Sequence, residues 1–199
     1  MNSGRLMTAL LSIVVCFAIY VEAQGGESST YKGWKAVVLG NKVVRLHIVP
    51  EIGGRVIQYA LGDKEFFWVN PTLAGKTPPT TGLAPDGSWL NYGGDKLWPA
   101  PQGWDNDRQW PGPPDAVLDG QPYRVETQRD GMAIRLTSRD DRRSGIRFSR
   151  RIRLHPRSTR VTVDATMTNI DTRPRRWGTV SYTHLTLPTI QHWCRAGGG

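Results

Sequence analysis

The sequence predicts an all-β protein whose strands form an antiparallel β-sandwich. Apolar residues recur at every second position over much of residues 31–178, which is the period of a strand with one buried face. The 199 residues include 22 glycines and 14 prolines, a content that favours many short strands and turns over long helices. With 38% hydrophobic residues the chain can bury a core, so we predict that residues 31–179 belong to one folded β domain.

The first 23 residues have the layout of a secretory signal peptide. Arg5 provides a positive start, residues 6–20 form an apolar run, and Ala23 is a small residue suited to cleavage. An uncleaved membrane anchor is the alternative, although a span needs about 20 apolar residues and this run is shorter. We expect an exported protein, periplasmic or extracellular, with no stable membrane insertion after cleavage of residues 1–23. Residues 24–30 are assigned to a linker.

The strands before residue 70 are predicted to pair as two hairpins. Residues 34–39 and 42–49 flank a Gly-Asn pair suited to a two-residue turn. Residues 55–61 and 65–69 alternate in the same way across a second short turn. Between the hairpins, residues 50–54 read PEIGG, where the paired glycines permit a positive φ or a close approach of backbone.

A proline-rich loop, residues 70–115, interrupts the strand pattern. It contains nine prolines, which are poorly compatible with central strands, and four of the eight tryptophans. A long loop of this composition inside a β domain is more often functional than a flexible linker. We therefore expect it to carry a binding site.

Four more strands are predicted after this loop, at residues 123–127, 132–136, 146–154 and 161–167. Their polar face carries Arg135, Arg147, Arg151, Arg153, Arg160 and Asp164. Residues 129–176 contain fourteen arginines and no lysine against five aspartates, and the formal net charge of the chain is +9. This arginine-rich face is either a solvated surface or a binding surface for an anionic polymer such as an acidic polysaccharide. No helix-turn-helix, zinc-finger or aromatic RNA-binding motif is present, so we expect no nucleic-acid partner.

The last twenty residues, 180–199, differ in character from the rest of the chain. Residues 180–189 read VSYTHLTLPT and resemble, residue for residue, the in-frame translation of a transposon-end sequencing adapter. Their alternation is also compatible with an ordinary strand, which is the alternative. We predict a non-native tail after residue 179. No function is assigned to its His184, His192, Trp193 and Cys194.

Two motifs resemble a known protein superfamily. Residues 44–57, a strand–PEIGGR–strand element, look like the beginning of the galactose-mutarotase-like sandwich of aldose epimerases. Residues 89–102, WLNYGGDKLWPAPQ, resemble the signature of an uncharacterised bacterial family of that superfamily, known only as a domain of unknown function. The resemblance extends over residues 31–178 and implies a large β-sandwich of which this chain holds about the first half.

The same resemblance implies where catalytic residues would lie. Aldose epimerases use a histidine as general acid and a glutamate late in the chain as general base. No residue here matches that glutamate, and neither His47 nor His155 fits the histidine well, so the catalytic residues are unknown. Half a sandwich would also leave inner-face residues without a facing sheet, among them Phe148, Ile152 and Val163.

The proline-rich loop holds residues whose chemistry suits a sugar. Aromatic rings bind the apolar faces of sugars, while amides and charged groups bind their hydroxyls. The candidate ligand-binding residues are Arg55, Asn91, Tyr92, Asp95, Lys96, Trp98, Gln102 and Trp104. The structural alternative is that the tryptophans close the end of the sandwich, that Asp95 and Lys96 form a local ion pair, and that Arg55 faces outward. No spacing indicates a metal site, and no motif indicates a cofactor.

Three functions are compatible with these features. The first is an exported carbohydrate-binding protein with a mutarotase-like fold. The second is a carbohydrate-active enzyme of the aldose epimerase type, an isomerase whose catalytic base lies outside this chain. The third is an envelope protein that binds anionic glycans through its arginine-rich face.

Overall fold

The computed structural model describes residues 27–128 and 131–185, and within them the chain forms two antiparallel β-sheets. The strands are β1 (Glu27–Tyr31), β2 (Trp34–Gly40), β3 (Val44–Val49), β4 (Arg55–Leu61), β5 (Lys64–Glu65), β6 (Asp95–Ala100), β7 (Arg124–Thr127), β8 (Ala133–Thr137), β9 (Ile146–Leu154), β10 (Val161–Asn169) and β11 (Gly178–Thr183). The larger sheet has the order β1-β2-β3-β4-β6-β11, with β5 paired to β4, and the smaller has the order β10-β9-β8-β7. The prediction of an all-β antiparallel sandwich is confirmed.

The described residues begin within the predicted linker. The predicted signal peptide, residues 1–23, lies outside the described residues. In the described part of the chain, no helix has the length and apolar character needed to span a bilayer. β1 begins at Glu27, so residues 27–30 of the predicted linker belong to the larger sheet.

The main core lies between the two sheets. Alternate residues of β3 and β9 point into it, and Leu46, Ile48, Phe148 and Ile152 are each at most 2% exposed. Along β9 burial alternates residue by residue, as expected for a strand with one wet face. Burying one such side chain contributes about 1.5–3 kcal/mol, so this interface contributes strongly to stability.

The proline-rich loop covers the other face of the larger sheet. A second apolar cluster lies there and includes Trp34, Ile57 and Tyr92, with Leu73 packed against it. Trp34 donates a hydrogen bond from Nε1 to the backbone oxygen of Lys76 at 2.6 Å, which fixes the loop to β2. The molecule therefore has three layers: the loop, the larger sheet and the smaller sheet.

One strand lies where none is expected. β6 occupies residues 95–100, inside the proline-rich loop, so the expectation that prolines exclude a regular strand there is wrong. β6 tolerates Pro99 because β4 pairs with it only through Val56 and Asp95, which leaves most of that edge without ladder bonds. β11 pairs along the opposite edge of β6.

The second predicted hairpin is shorter than the sequence suggests. β5 contains two residues, and beyond them the side chain of Gln58 helps to hold the chain against β4. The Gln58 Oε1 atom accepts hydrogen bonds from the backbone nitrogens of Phe66 (3.1 Å) and Phe67 (2.8 Å). The first hairpin and the four strands after the loop form where they are predicted.

Strand β10 is only partly covered. Val163 is 42% exposed, although it pairs in register with Ile152, which is 0% exposed. The larger sheet covers β9, so the expectation that Phe148 and Ile152 lack a facing sheet is wrong. The larger sheet thus covers β9 but leaves Val163 of β10 exposed.

Candidate functional site

Strand β6 distributes the predicted binding residues over both faces of the larger sheet. Successive side chains of a strand point to opposite faces, so Asp95 faces the smaller sheet while Lys96 and Trp98 face the proline-rich loop. Asp95 and Lys96 do not pair with each other. Asp95 pairs with Arg150, and Lys96 pairs with Asp119.

Asp95 connects the two sheets. Arg150 points inward from β9, and its Nη2 donates to Asp95 Oδ2 at 2.6 Å, with both residues buried. The other carboxylate oxygen accepts hydrogen bonds from the hydroxyls of Ser181 and Thr183 on β11, each at 2.9 Å. The Asp95 carboxylate is therefore occupied by donors from two neighbouring strands.

Asp119 is the centre of a buried charged cluster on the loop side of the larger sheet. Its Oδ1 accepts hydrogen bonds from Arg55 Nη2 and Lys96 Nζ, both at 2.8 Å. Its Oδ2 accepts one from Nε1 of Trp89 at 2.7 Å, and Nε1 of Trp98 lies 3.4 Å from Oδ1. Arg55, Lys96 and Asp119, called here the Asp119 cluster, are 0%, 2% and 4% exposed. Arg55 thus faces inward, not outward.

Two tryptophans enclose the Lys96 ammonium. Its Nζ lies 4.4 Å from the ring centroids of both Trp89 and Trp98, where the ring faces attract a cation. Burial, together with the positive charge of Arg55, lowers the pKa of Lys96 to about 7. The enclosed amine therefore holds its proton less firmly than an exposed lysine does.

At the Asp119 carboxylate, neighbouring charges outweigh the effect of burial, whereas at Lys96 burial dominates. Burial alone would raise the pKa of Asp119, but the charges of Arg55 and Lys96 and the hydrogen bonds to the carboxylate outweigh that effect. The pKa of Asp119 consequently lies below its usual value. The cluster combines an ionised carboxylate, a permanently charged guanidinium and an amine that titrates near neutral pH.

The PEIGG turn makes room for Asp119. Gly53 has a φ of 77°, and a Cβ at this position would lie 2.2 Å from the backbone oxygen of Asp119. Gly54 has a φ of 61°, and a Cβ there would lie 2.6 Å from the ring of Tyr123. The paired glycines therefore let the chain around Asp119 pack directly against the start of β4, next to Arg55.

In this arrangement the Asp119 cluster is closed to ligands. The cavity beside it measures about 10 Å³, and its lining includes Trp89, Tyr92, Asp115 and Asp119. That volume holds about one water molecule. Burial raises the pKa of Tyr92 to about 12, so its hydroxyl stays protonated at neutral pH. A sugar can contact Lys96 only if the loop moves.

An open groove lies elsewhere on the proline-rich loop. A cavity of about 180 Å³, called here the Trp104 groove, has a lining that includes Trp104, Asn106, Gln109, Arg143 and Trp177. A second cavity of about 440 Å³, called here the arginine cleft, has a lining that includes Arg108, Arg173, Arg175 and Arg176. The two cavities adjoin, because Asp107 and Trp177 line both. The arginine cleft falls within the range of roughly 300–1,000 Å³ that is typical of small-molecule sites.

A compact loop presents Trp104 at the edge of this groove. The loop is closed by a backbone hydrogen bond from Trp110 to the oxygen of Pro101 at 2.8 Å. The side-chain amide of Gln102 donates to the backbone oxygen of Gly112 and braces the same loop. The Trp104 side chain is 74% exposed. An indole face is thus held in solvent on a fixed backbone.

The predicted binding residues therefore fall into separate environments. Arg55, Tyr92, Asp95, Lys96 and Trp98 are buried. Asn91 is half-buried, and its side-chain oxygen accepts a hydrogen bond from the backbone nitrogen of Gly93 at 3.2 Å. Of the eight, Trp104 lines the open groove and Gln102 supports its loop.

The two histidines considered for catalysis are held in local contacts. The ring of His47 stacks on Tyr31 with centroids 4.3 Å apart, and burial lowers the pKa of His47. The Nε2 atom of His155 lies 2.8 Å from the hydroxyl of Thr162, and its Nδ1 lies 3.0 Å from Arg160. Neither histidine lines the cavity beside Asp119, the Trp104 groove or the arginine cleft.

Comparison with known proteins identifies one family. Residues 35–186 match the model of a family described as a domain of unknown function, DUF4380, which is more than half of the chain. The chain belongs to this family. The prediction of an uncharacterised domain family is confirmed, while its membership of the galactose-mutarotase-like superfamily stays a prediction. No curated protein and no solved structure matches the chain.

The DUF4380 match includes the Asp119 cluster, the Trp104 groove and the arginine cleft. The match extends to residue 186, so it includes the first residues of the predicted non-native tail, residues 180–199. In the structure, residues 180–183 form most of β11, and Tyr182 stacks on Trp98 with centroids 4.4 Å apart. Residues 186–199 lie outside the described residues. The non-native origin of the tail stays a prediction.

Sequence reasoning misses Asp119 and Trp177 in this DUF4380 chain. Asp119 is 64 residues from Arg55 and 23 from Lys96, so no local spacing connects them. Trp177 follows the last predicted strand, and only the fold brings it beside Trp104. In sequence, Asp119 lies near a proline-rich turn and has no metal-ligand spacing. This position does not indicate that Asp119 forms ion pairs with Arg55 and Lys96.

Proposed function

We propose that this DUF4380 chain is an exported carbohydrate-binding protein whose sugar contacts the Trp104 groove. The observation that carries the proposal is the Trp104 indole, 74% exposed on a loop that is closed by its own hydrogen bonds. A flat apolar ring suits the C–H face of a sugar, and a loop already held by its own hydrogen bonds loses little conformational entropy when a ligand binds. A single exposed apolar residue needs no explanation by itself, but this one borders a polar groove.

The groove offers the polar groups that sugar hydroxyls require. Asn106 lies along it, and its side-chain oxygen accepts a hydrogen bond from the backbone nitrogen of Arg108 at 2.9 Å, which orients the amide. The amide nitrogen of Asn106 then remains a donor for a ligand. Trp177 is half-buried, and its Nε1 donates to the backbone oxygen of Ser144 at 3.0 Å, so the Trp177 ring is fixed.

In this proposal the buried candidate residues support the groove and do not contact the sugar. Lys96 and Trp98 surround Asp119, and the Trp98 ring packs against Trp110 with centroids 5.3 Å apart. Trp110 forms the base of the loop that presents Trp104. Binding is favoured over an epimerase activity because the titratable pair Lys96 and Asp119 is enclosed beneath the loop.

A glycan array probed with the labelled chain tests the proposal. Trp104→Ala should weaken binding to the retained glycans by about fivefold or more, which corresponds to roughly 1 kcal/mol for the lost ring contact. Trp104→Phe keeps an aromatic face and should retain most of the affinity. Trp68→Ala, at a tryptophan that is 37% exposed outside the groove, is the control. The proposal fails if no glycan is retained, or if Trp68→Ala weakens binding as much as Trp104→Ala does.

A further inference from the structure

We infer that the glycan of the Trp104 groove is acidic and that its carboxylate or sulfate group lies in the arginine cleft. This inference rests on the proposed function and specifies its ligand. The two cavities share Asp107 and Trp177, so a sugar unit stacked on Trp104 can continue into the cleft. The ligand class therefore depends on the chemistry of the cleft.

The arginine cleft carries more positive charge than the protein itself neutralises. Four arginines and one aspartate line it. Asp171 pairs with two of these arginines, Arg175 at 2.5 Å and Arg173 at 3.7 Å. The other two, Arg108 and Arg176, are exposed and form no ion pair within residues 27–128 and 131–185. An anionic ligand would supply the missing counter-charge.

The geometry of the guanidinium group favours carboxylate and sulfate as partners. Its planar set of donors matches two oxygens of such a group at once. Arg175 is already oriented, because Nε and Nη2 both donate to one oxygen of Asp171, at 2.9 Å and 2.5 Å. Arg108 and Arg176 keep their donors available beside it. An uncharged sugar would leave these donors to water, whereas an acidic sugar would use them.

The position of Trp177 connects ring recognition with charge recognition. It lines both cavities, and its Nε1 bond to Ser144 fixes the indole at their junction. A uronate or a sulfated sugar has an apolar ring face and an anionic group a few bonds apart. Tryptophan beside arginine matches both parts of such a sugar.

The arginine-rich face of the smaller sheet is the competing anion-binding surface. Arg135 and Arg151 are cross-strand neighbours on β8 and β9, and Asp164 on β10 lies opposite Arg151. None of these three strands contains a tryptophan, so this face offers charge without a ring-binding surface. It serves as the matched control for the cleft.

Binding of the purified chain to three polymers tests the inference. Polygalacturonate presents carboxylates, dextran sulfate presents sulfates, and dextran presents neither. We expect at least one charged polymer to bind about tenfold or more tightly than dextran, with the preference weakened by salt. The double variant Arg108→Gln/Arg176→Gln should abolish that preference. The double variant Arg135→Gln/Arg151→Gln removes the same charge elsewhere and should retain it, while Trp104→Ala should weaken binding to every polymer that the chain binds.

The outcomes separate the inference from the proposed function. If dextran binds as tightly as the charged polymers and Trp104→Ala weakens all three, the acidic ligand is wrong and the proposed function stands. If the Arg135/Arg151 variant loses the preference and the Arg108/Arg176 variant keeps it, the arginine-rich face is the site and the inference is overturned. Equal binding of a single-stranded DNA oligonucleotide through Arg108 and Arg176 overturns it too. If no polymer binds while the array retains a glycan, the inference is overturned and the proposed function stands; if the array retains none either, both are contradicted.

Discussion

At the scale of single residues, the Asp119 carboxylate neutralises two buried cations, Arg55 and Lys96. Two cations against one anion is an unequal balance in a place that is shielded from bulk water. The amine can resolve it by releasing its proton, and its pKa is lowered to about 7. The guanidinium cannot deprotonate in a protein. Asp119 is therefore indispensable to the cluster, while Lys96 is not.

We predict that Asp119→Asn lowers the free energy of unfolding at pH 7 by about 3–5 kcal/mol, because it leaves Arg55 buried without a counter-charge. Lys96→Met removes a cation but keeps the length of the side chain, and should cost less than about 1.5 kcal/mol. Urea unfolding followed by tryptophan fluorescence measures both values.

Asp63→Asn, in an exposed turn, is the control for this comparison and should change stability by no more than about 0.5 kcal/mol. Equal costs for the Asp119 and Lys96 variants would contradict the explanation from charge balance.

At the scale of elements, the sequence predicts the strands that have one apolar and one polar face. β9 is of this type, since its buried and half-buried residues alternate along all nine positions. β6 is different, because the smaller sheet covers one of its faces and the loop covers the other, and five of its six residues are buried. Charged residues on both faces of a buried strand produce no apolar–polar pattern. β6 is therefore not predictable from periodicity.

The candidate site, like the strands, is predictable only in part. The composition of the proline-rich loop identifies the part of the chain that contains Trp104. Asp119 joins the cluster through contacts with residues that are distant in sequence. Trp177 follows β10 in sequence, yet it lines the same groove as Trp104. Such contacts depend on the packing of the loop against the sheets, which no local pattern encodes.

The PEIGG turn gives the prediction at this scale. Gly53→Ala should lower stability by at least about 3 kcal/mol, because the residue has a left-handed φ and its Cβ would overlap the backbone oxygen of Asp119. Gly62→Ala is the matched control, since Gly62 has a φ of 56° and nothing lies within 4 Å of the added Cβ. It should cost about 1–2 kcal/mol, the backbone contribution alone.

Thermal unfolding of both glycine variants measures the difference. If both lose the same stability, the close approach of Asp119 to the turn does not explain the glycine pair.

At the scale of the whole molecule, the three layers leave some strand faces covered and others exposed. The proline-rich loop covers one face of the larger sheet, and the smaller sheet covers its other face. At β10 this cover ends, and on β11 Val180 and Tyr182 are 41% and 37% exposed. β10 and β11 also end their sheets within the described residues, so each has an unpaired edge. Exposed apolar strands with free edges favour contact with other chains.

We predict that the chain self-associates through the uncovered face of β10. Val163→Lys should shift it toward monomer in size-exclusion chromatography with light scattering, at a concentration at which the unmodified chain associates, because the lysine places a charge in that face. Thr166→Lys adds the same charge to the opposite face of β10, where Thr166 pairs with Ser149, while Val163 pairs with Ile152. It should leave the association unchanged.

Equal effects of the two lysine variants would show that the free strand edge drives the association, because the edge is common to both while the faces differ. A chain that stays monomeric at high concentration would contradict the prediction altogether. A preserved cooperative unfolding transition in Val163→Lys is required in either case, because only then does loss of association report on the surface of β10 and not on its folding. We expect Val163→Lys to keep this transition, since Val163 is already 42% exposed and a lysine there does not enter the core between the sheets.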